Sequence, residues 1–355
     1  MSDTEIPDDI VEPVAPPRAP TLSRRNVLGG GVALAASGLT GGLLLRRPRT
    51  AQATGGRRKL TVSWNANAVC LSPVLLAKEY GIYEKNGLDV DLVTFAGSTD
   101  QLLEAISTGK ADAGVGMIMR WIKPLEQGFD VKLIAGTHGG CARMVGSRRA
   151  GVTDDPRSLK GKIIGLSEVS GTGRNTFSIL LKAHGLDPER DVTWRAFPQP
   201  LLGEAVRKGE AHAIADGDPI LYLLQKQSDG DLVEVLSNLS EPWQNRVCCV
   251  VGMAGKFLRS DREAARALAV SLVTAASMCA DNPETAARVY APYAKASVED
   301  LVAVLKSQTH GRHPVGTDLR GDIALYAREL RDVGVMRAST EPNDFANRIV
   351  DDVFV

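Results

Sequence analysis

The sequence contains no Cys-x-x-Cys pair, and only five of its 355 residues are cysteines. A zinc ribbon and a redox dithiol both need closely spaced thiols, so neither kind of site is indicated. The sequence also has no His-Glu-x-x-His, no Gly-x-Ser-x-Gly and no EF-hand loop. His310 and His313 fall in a helix-to-helix connection without a nearby cysteine. We therefore predict a protein that is not an enzyme and has no cofactor and no metal site.

Charge of one sign does not predominate, because 42 Lys and Arg residues face 42 Asp and Glu residues. Removing residues 1–53 leaves this balance almost unchanged. No basic stripe suits nucleic acid and no polybasic cluster suits a lipid surface, so a small solute or a protein partner is expected. The remaining length of about 300 residues is typical of two lobes with a large core.

The first 53 residues have the pattern of an export signal. Segment 23–28 reads Ser-Arg-Arg-Asn-Val-Leu and opens an uncharged, glycine-rich run that ends at Leu45. A small-residue cleavage signal follows at Ala51-Gln52-Ala53. We predict a twin-arginine signal peptide with a disordered start, cleavage after Ala53 and a periplasmic mature chain. An uncleaved membrane anchor remains the alternative.

Strand and helix patterns alternate along the rest of the chain, which predicts an α/β fold with mostly parallel sheets. In the first part we predict strands at 59–64, 88–95, 111–116 and 131–137, and helices at 73–83 (capped by Ser72), 98–108 and 117–127. In the second we predict strands at 162–166, 192–197, 211–215 and 232–236, and helices at 172–184, 201–208 and 219–227. A short strand at 247–251 is followed by helices at 261–280, 283–290, 297–306, 318–333 and 343–349.

Two strand-like segments, 143–147 and 246–251, stand where two lobes must join. We predict that residues 54–142 and 247–355 form lobe 1, that residues 143–246 form lobe 2, and that the two crossings act as a hinge. Crossings that lie side by side place Cys141 near Cys248 or Cys249. A disulfide there and buried reduced thiols are both open interpretations.

A ligand is expected outside the carboxyl ends of the strands, where loops and helix N-termini converge. The loops in that position supply these candidate ligand-binding residues: Trp64, Asn65, Ser98, Thr99, Gly116, Met117, His138, Gly139, Ser170, Gly171, Thr172 and Asp218. Structural interpretations stay open for several of them. Trp64 could pack in the core, Ser98, Thr99 and Asp218 could cap helices, segment 171–173 could be a tight turn, and His138 could be structural.

Three acidic residues, Glu168, Asp216 and Asp218, also fall near this predicted cleft. They disfavour a bare anion unless an arginine offsets them, and the candidates are Arg143, Arg174 and Arg246. A zwitterion or an amine-bearing heterocycle is therefore a further possibility.

The stretch "LLAKEYGIYEKNGLDVDLVTFAGSTDQLLEAISTGKADAGVG", segment 158–165 and "GEAVRKGEAHAIADGDP" resemble the periplasmic solute-binding proteins of ABC importers for nitrate, sulfonate and taurine. The resemblance implies a two-lobed type II binding fold, a monomer, C-terminal helices on lobe 1, and delivery of solute to a membrane permease and its ATPase. The chain departs from the sulfonate members at 138–141 and at the Cys248-Cys249 pair. The same superfamily includes proteins of thiamine pyrimidine precursor metabolism, so a binder or an enzyme of that pathway is an alternative. Two further alternatives are a solute-sensing subunit and an exported enzyme that uses His138 and Cys141.

Overall fold

The computed structural model describes residues 56–95 and 100–355, with the side chain of residue 95 excepted. The predicted signal peptide and its cleavage point lie outside the described residues, as do Ser98 and Thr99. The described residues belong to one compact unit.

The first half of the chain forms strands and helices close to the predicted positions. Its strands are β1 (Arg58–Asn65), β2 (Leu88–Phe95), β3 (Ala113–Met117) and β4 (Val131–His138). Its helices are α1 (Ser72–Glu79), α2 (Ile82–Lys85), α3 (Asp100–Ser107) and α4 (Ile118–Glu126).

The second half repeats this pattern before the chain becomes mainly helical. Its strands are β5 (Ala142–Ser147), β6 (Lys162–Leu166), β7 (Val192–Ala196), β8 (Ala213–Gly217), β9 (Leu232–Ser237) and β10 (Cys249–Ala254). Its helices are α5 (Thr172–Ala183), α6 (Leu202–Arg207), α7 (Ile220–Lys226), α8 (Gly255–Ser260), α9 (Arg262–Asp281), α10 (Pro283–Tyr290), α11 (Val298–Ser307), α12 (Gly316–Asp332) and α13 (Pro342–Ile349).

Two five-stranded sheets share one topology. The strand orders are β2-β1-β3-β10-β4 and β7-β6-β8-β5-β9. In each sheet four strands run in the same direction, and the strand that directly follows a crossing, β10 or β5, lies antiparallel between two of them. The predicted α/β fold of two mostly parallel sheets joined by two crossings is confirmed. The exact lobe boundaries stay a prediction.

The predicted helix 73–83 is shorter than expected because Gly81 interrupts it. Gly81 has a φ of 61°, a left-handed conformation that ends α1 and turns the chain into α2. The prediction that Ser72 caps α1 is also wrong. Ser72 is the first helical residue, Leu71 occupies the N-cap position, and the Ser72 hydroxyl lies 3.4 Å from the Cys279 thiol.

Apolar packing continues from one sheet to the other. The largest cluster of buried residues includes Ile118 and Trp121 from α4, Phe177 and Leu180 from α5, and Tyr326 from α12. The longest described helix, α9, is apolar enough to cross a membrane by length and composition. Half of it is buried inside the protein, against β4 and α1, as in the core helix of a soluble domain.

Candidate functional site

A cavity of about 440 Å³ lies between the two sheets. It opens at the carboxyl ends of the strands, because its lining includes the residues that end or follow β1, β3, β6 and β8. The polar residues of the lining are Asn65, Asn67, Arg120, Ser167, Glu168, Thr172, Gln199, Asp216 and Asp218. Cys70, Cys141 and Cys249 line it as well.

Five of the predicted ligand-binding residues line this cavity, namely Asn65, Gly116, Met117, Thr172 and Asp218. Asn65 ends β1, and its side-chain oxygen accepts a hydrogen bond of 2.8 Å from the Asn67 backbone N–H. Thr172 is the first residue of α5, so the free backbone N–H groups of that helix begin beside the cavity.

Neighbouring residues of the predicted set lie outside the lining. Gly171 is buried under Glu168, and a Cβ at Gly171 would stand 2.7 Å from a Glu168 carboxylate oxygen. Ser170 is exposed to solvent on the preceding turn. Residues 168–171 therefore form a tight turn that leads to Thr172 at the cavity.

Trp64 is a core residue, which corrects its prediction as a ligand contact. Its side chain is fully buried and packs edge-on against Tyr293 with ring centroids 5.5 Å apart. It points to the helical layer because its neighbour Asn65 faces the opposite side of the strand, towards the cavity.

His138 and Gly139 form the first crossing, beneath the cavity, and do not belong to its lining. His138 is completely buried, and its Nδ1 lies 2.7 Å from the Gly139 carbonyl oxygen. The Gly139 backbone N–H donates to the Thr309 carbonyl over 2.6 Å, and a Cβ at Gly139 would stand 2.1 Å from the Gln244 carbonyl. Glycine is required there by the close approach of the second crossing.

An ion pair spans the cavity from one side to the other. Arg120, on α4, pairs with Glu168, which follows β6 in the second sheet, and also with Asp100 at 2.8 Å. Neither Arg174 nor Arg246, which we expected to offset the acids, faces the cavity lining. They pair with Glu189 and Glu329 instead.

The other two acidic residues of the cavity, Asp216 and Asp218, differ in whether an ion pair balances their negative charge. Asp218 forms a buried ion pair with Arg143 at 2.7 Å and accepts a hydrogen bond of 3.0 Å from the Tyr222 backbone N–H. Asp216 forms no ion pair within the described residues, and the Gln199 amide, the Gly217 backbone N–H and the Ser167 hydroxyl donate hydrogen bonds to it. Burial raises the pKa of Asp216 to about 6.

Three cysteines and a histidine converge at the floor of the cavity. The ligand atoms of Cys70, His138, Cys141 and Cys249 all lie within 4.8 Å of one another, and all four residues are buried. Cys249 is paired in register with both Met117 and His138, which fixes it between the ends of β3 and β4. The predicted proximity of the two crossings is present, since the sulfur atoms of Cys141 and Cys248 are 3.0 Å apart, with both thiols free.

Contacts within the cluster shift the pKa values of Cys70 and His138. Hydrogen bonds with Cys141 and Cys249 lower the pKa of the Cys70 thiol well below its usual value. Burial lowers the pKa of His138, but the charge and hydrogen bond of Cys70, the charge of Cys248 and the Gly139 carbonyl together outweigh burial and raise that pKa to about 9.

Several of these residues have no local sequence signal. Cys70 follows β1, His138 and Cys141 form the first crossing, and Cys249 begins β10, so no two of the cysteines show metal-ligand spacing. Arg120 was missed because it sits in the first turn of an amphipathic helix, where a surface arginine is ordinary. His310, expected to lack cysteine neighbours, packs against His138 with ring centroids 5.1 Å apart.

The sequence model of the NMT1-like family matches residues 53–292. The chain belongs to this family. A curated relative, 4-amino-5-hydroxymethyl-2-methylpyrimidine phosphate synthase of Saccharomyces cerevisiae, is 31% identical over 121 residues. That match covers 33% of the present chain and 34% of the relative, so the chain spans only about a third of the curated relatives it matches.

Solved structures share the fold over most of the chain. The periplasmic nitrate-binding protein NrtA from Synechocystis PCC 6803 superimposes with a TM-score of 0.68 at 17% identity, covering 83% of this chain and 86% of that one. The alkanesulfonate-binding protein SsuA from Xanthomonas axonopodis pv. citri, bound to MOPS, gives 0.68 at 15% identity, covering 82% and 98%. The NMT1-like chain therefore has the periplasmic-binding-protein fold that the sequence resemblance implied.

Proposed function

We propose that the chain is a periplasmic solute-binding receptor of an ABC importer, exported by the twin-arginine route. It would capture a small polar molecule between its two sheets and deliver it to a membrane permease with its ATPase. The observation that carries this proposal is the 440 Å³ cavity, which is lined by residues from both sheets at the carboxyl ends of their strands. Neighbours of the same fold that are named as nitrate- and alkanesulfonate-binding proteins support it.

The charges of the cavity favour a zwitterion over a bare anion. Arg120 and the N-terminus of α5 at Thr172 suit a sulfonate or carboxylate group. Asp216 forms no ion pair in the described parts of the chain, and an ammonium or amine group on the solute would supply a partner. A compound such as taurine carries both groups, whereas nitrate carries only the anionic one.

Ligand-dependent melting of the mature chain, residues 54–355, tests this proposal. A ligand that binds only the folded protein raises the melting temperature. We expect taurine to raise it more than unsubstituted alkanesulfonates, nitrate or bicarbonate do. No shift with any member of the panel, or an equal shift with nitrate and taurine, would contradict the proposed solute chemistry.

Substitution of Asp216 sharpens the test. A charged hydrogen bond contributes about 1.5 to 3 kcal/mol, so Asp216→Asn should weaken the binding of an amine-bearing solute by about 10-fold or more. Asp154→Asn serves as the matched control, because Asp154 is exposed on a loop away from the cavity. Titration calorimetry on both variants separates a direct contact from a change in net charge.

A second candidate function is supported by the curated relatives, which are named as pyrimidine phosphate synthases. In that case the cavity would hold a thiamine pyrimidine precursor, as a binder or as an enzyme. Adding aminopyrimidine precursors to the melting panel distinguishes the two functions, and mass spectrometry of the incubated mixture detects turnover. A shift with pyrimidines alone would favour the second function.

Transport and sensing use the same capture step and differ in the membrane partner. Genes for a permease and an ATPase beside the gene of this chain would favour the importer. A neighbouring membrane kinase would instead favour a sensing subunit.

A further inference from the structure

The cysteine and histidine cluster has the composition of a metal site. Cys70, Cys141 and Cys249 contribute one sulfur atom each, and His138 contributes one ring nitrogen, all within 4.8 Å of one another. In a tetrahedral site with metal–sulfur bonds of about 2.3 Å, neighbouring sulfur atoms stand about 3.8 Å apart. The four groups therefore need only small side-chain adjustments to surround one ion.

We propose that Cys70, His138, Cys141 and Cys249 bind a thiophilic d¹⁰ metal ion, Zn²⁺ or Cu⁺, at the floor of the cavity. Three thiolates and an imidazole suit these ions, whereas Mg²⁺ and Ca²⁺ require oxygen ligands. The proposal goes beyond the solute-binding function and does not depend on which solute the cavity holds.

The surroundings of His138 fit a ligand better than a structural histidine. Its Nδ1 lies 2.7 Å from the Gly139 carbonyl oxygen, which only accepts hydrogen bonds, so Nδ1 carries a proton. A metal ion that displaces the second ring proton would find a lone pair on Nε2, a buried atom that makes no hydrogen bond of normal geometry among the described residues and lies beside the Cys70 thiol. A histidine that donates through one nitrogen to a backbone carbonyl and ligates through the other is the usual arrangement at metal sites.

The backbone holds the cysteine ligands in place from outside the cluster. The Asn238 side-chain oxygen accepts hydrogen bonds from the Cys141 and Ala142 backbone N–H groups at 2.8 and 2.7 Å. The Cys248 backbone N–H donates to the His138 carbonyl over 2.9 Å, which ties the two crossings together next to Cys249. The three cysteine sulfur atoms belong to residues that line the cavity, so an ion has a path of entry.

Metal titration of the reduced, metal-free mature chain tests the site. We expect one equivalent of Co²⁺, used as a probe for Zn²⁺, to give thiolate charge-transfer absorption and the visible bands of a tetrahedral complex. A parallel titration with Cu⁺ against a chromogenic chelator measures the affinity for Cu⁺. Elemental analysis gives the number of metal ions bound per chain. The tighter of the two ions, measured by competition, identifies the resident metal.

Variants decide whether these residues are the ligands. Cys70→Ser and Cys141→Ser should each lower the affinity by at least about 100-fold, since even outer-shell changes at metal sites cost 10- to 100-fold. Cys279→Ser is the matched control, because Cys279 is buried but bonds to Ser72 and lies outside the cluster. His138→Gln should keep the charge-transfer absorption of the remaining thiolates while altering the visible bands.

Three results would overturn the site. The first is that a folded chain with five titratable thiols does not bind Co²⁺ or Cu⁺. The second is that the Cys70→Ser, Cys141→Ser and Cys279→Ser variants bind the ion with equal affinity. The third is that Mg²⁺ binds as tightly as Co²⁺. Circular dichroism of each variant shows that it is folded. If a cysteine variant does not fold, altered visible bands in folded His138→Gln still support the site, and unchanged bands count against it.

Discussion

Asp216 is the residue whose surroundings most directly tie stability to ligand chemistry. It lines the cavity without an ion-pair partner among the described residues, and burial raises its pKa to about 6. An unfolded chain would hold the same proton with a pKa of about 4. The folded protein therefore binds this proton more tightly, and ionising the carboxyl weakens the fold.

The free energy of unfolding should fall at this residue as pH rises from about 4 through about 6, because the folded state holds the proton longer. Asp216→Asn removes this contribution. We expect the variant to gain about 1 to 2 kcal/mol relative to the wild type between pH 4 and pH 7.5, allowing for partial solvent screening. Urea unfolding of both proteins across this range measures the difference. The exposed Asp154→Asn variant should show no such pH-dependent gain, and a gain of equal size there would refute the assignment.

Gly140 shows how closely the two crossings approach each other. A Cβ at this position would stand 1.8 Å from the Asn238 carbonyl oxygen and 2.6 Å from its carbonyl carbon. Both atoms belong to the backbone, so the strain cannot be relieved by a rotamer change. Gly140→Ala should lower the free energy of unfolding by about 3 kcal/mol or more.

Gly311→Ala is the control for that substitution, since a Cβ there would meet no atom within 4 Å. It should change stability by no more than about 0.5 kcal/mol. Equal denaturation midpoints for the two alanine variants would show that the crossings are not tightly packed in solution.

Pattern and capping predict elements well where the local signal is strong. Predicted strands 88–95 and 162–166 and helix 283–290 begin and end at the observed residues. Sequence also located the cavity, since Asn65, Gly116, Met117, Thr172 and Asp218 follow strands or open helices there. The sequence could not decide whether Trp64 contacts a ligand or packs in the core, because the alternation along β1 does not show which face of the strand the helices cover. It could not assemble the cysteine cluster either, because its members come together only through the two crossings.

Helix α9 begins after an N-cap at Asp261, the residue at which the sequence predicts the helix to start. The Asp261 carboxylate accepts a hydrogen bond of 3.0 Å from the Ala264 backbone N–H, and it also pairs with Arg58 at 3.2 Å. Loss of a helix cap costs about 0.5 to 2 kcal/mol. Asp261→Ala should therefore unfold at lower denaturant concentration than the wild type.

Asp261→Asn separates the cap from the surface ion pair, because asparagine keeps the accepting oxygen but not the charge. We expect it to retain most of the stability, so that the alanine variant is the weaker of the two by about 1 kcal/mol. Identical midpoints for the two variants would mean that the charge, and not the cap, stabilises this end of α9.

At the scale of the whole molecule, one buried cluster spans both sheets, in addition to a cluster around each sheet. Ile118 and Trp121 from α4 share one buried cluster with Phe177 and Leu180 from α5 and with Tyr326 from α12. If the two crossings act as the predicted hinge, opening the cavity would disturb this apolar packing as well as the Arg120–Glu168 pair. The proposed solute capture would then use a closed form that packing already stabilises.

A shared core predicts that the mature chain unfolds in one cooperative transition. Leu180 is 1% exposed, and Leu180→Ala should cost about 2 to 5 kcal/mol through the cavity it leaves. Because Leu180 packs with residues of both sheets, we expect the whole calorimetric transition to move to lower temperature without splitting. Leu325→Ala is the control, since Leu325 is 38% exposed on α12. Two resolved transitions in the wild type, of which only one moves in Leu180→Ala, would show that the lobes unfold independently and that the hinge is looser than the packing implies.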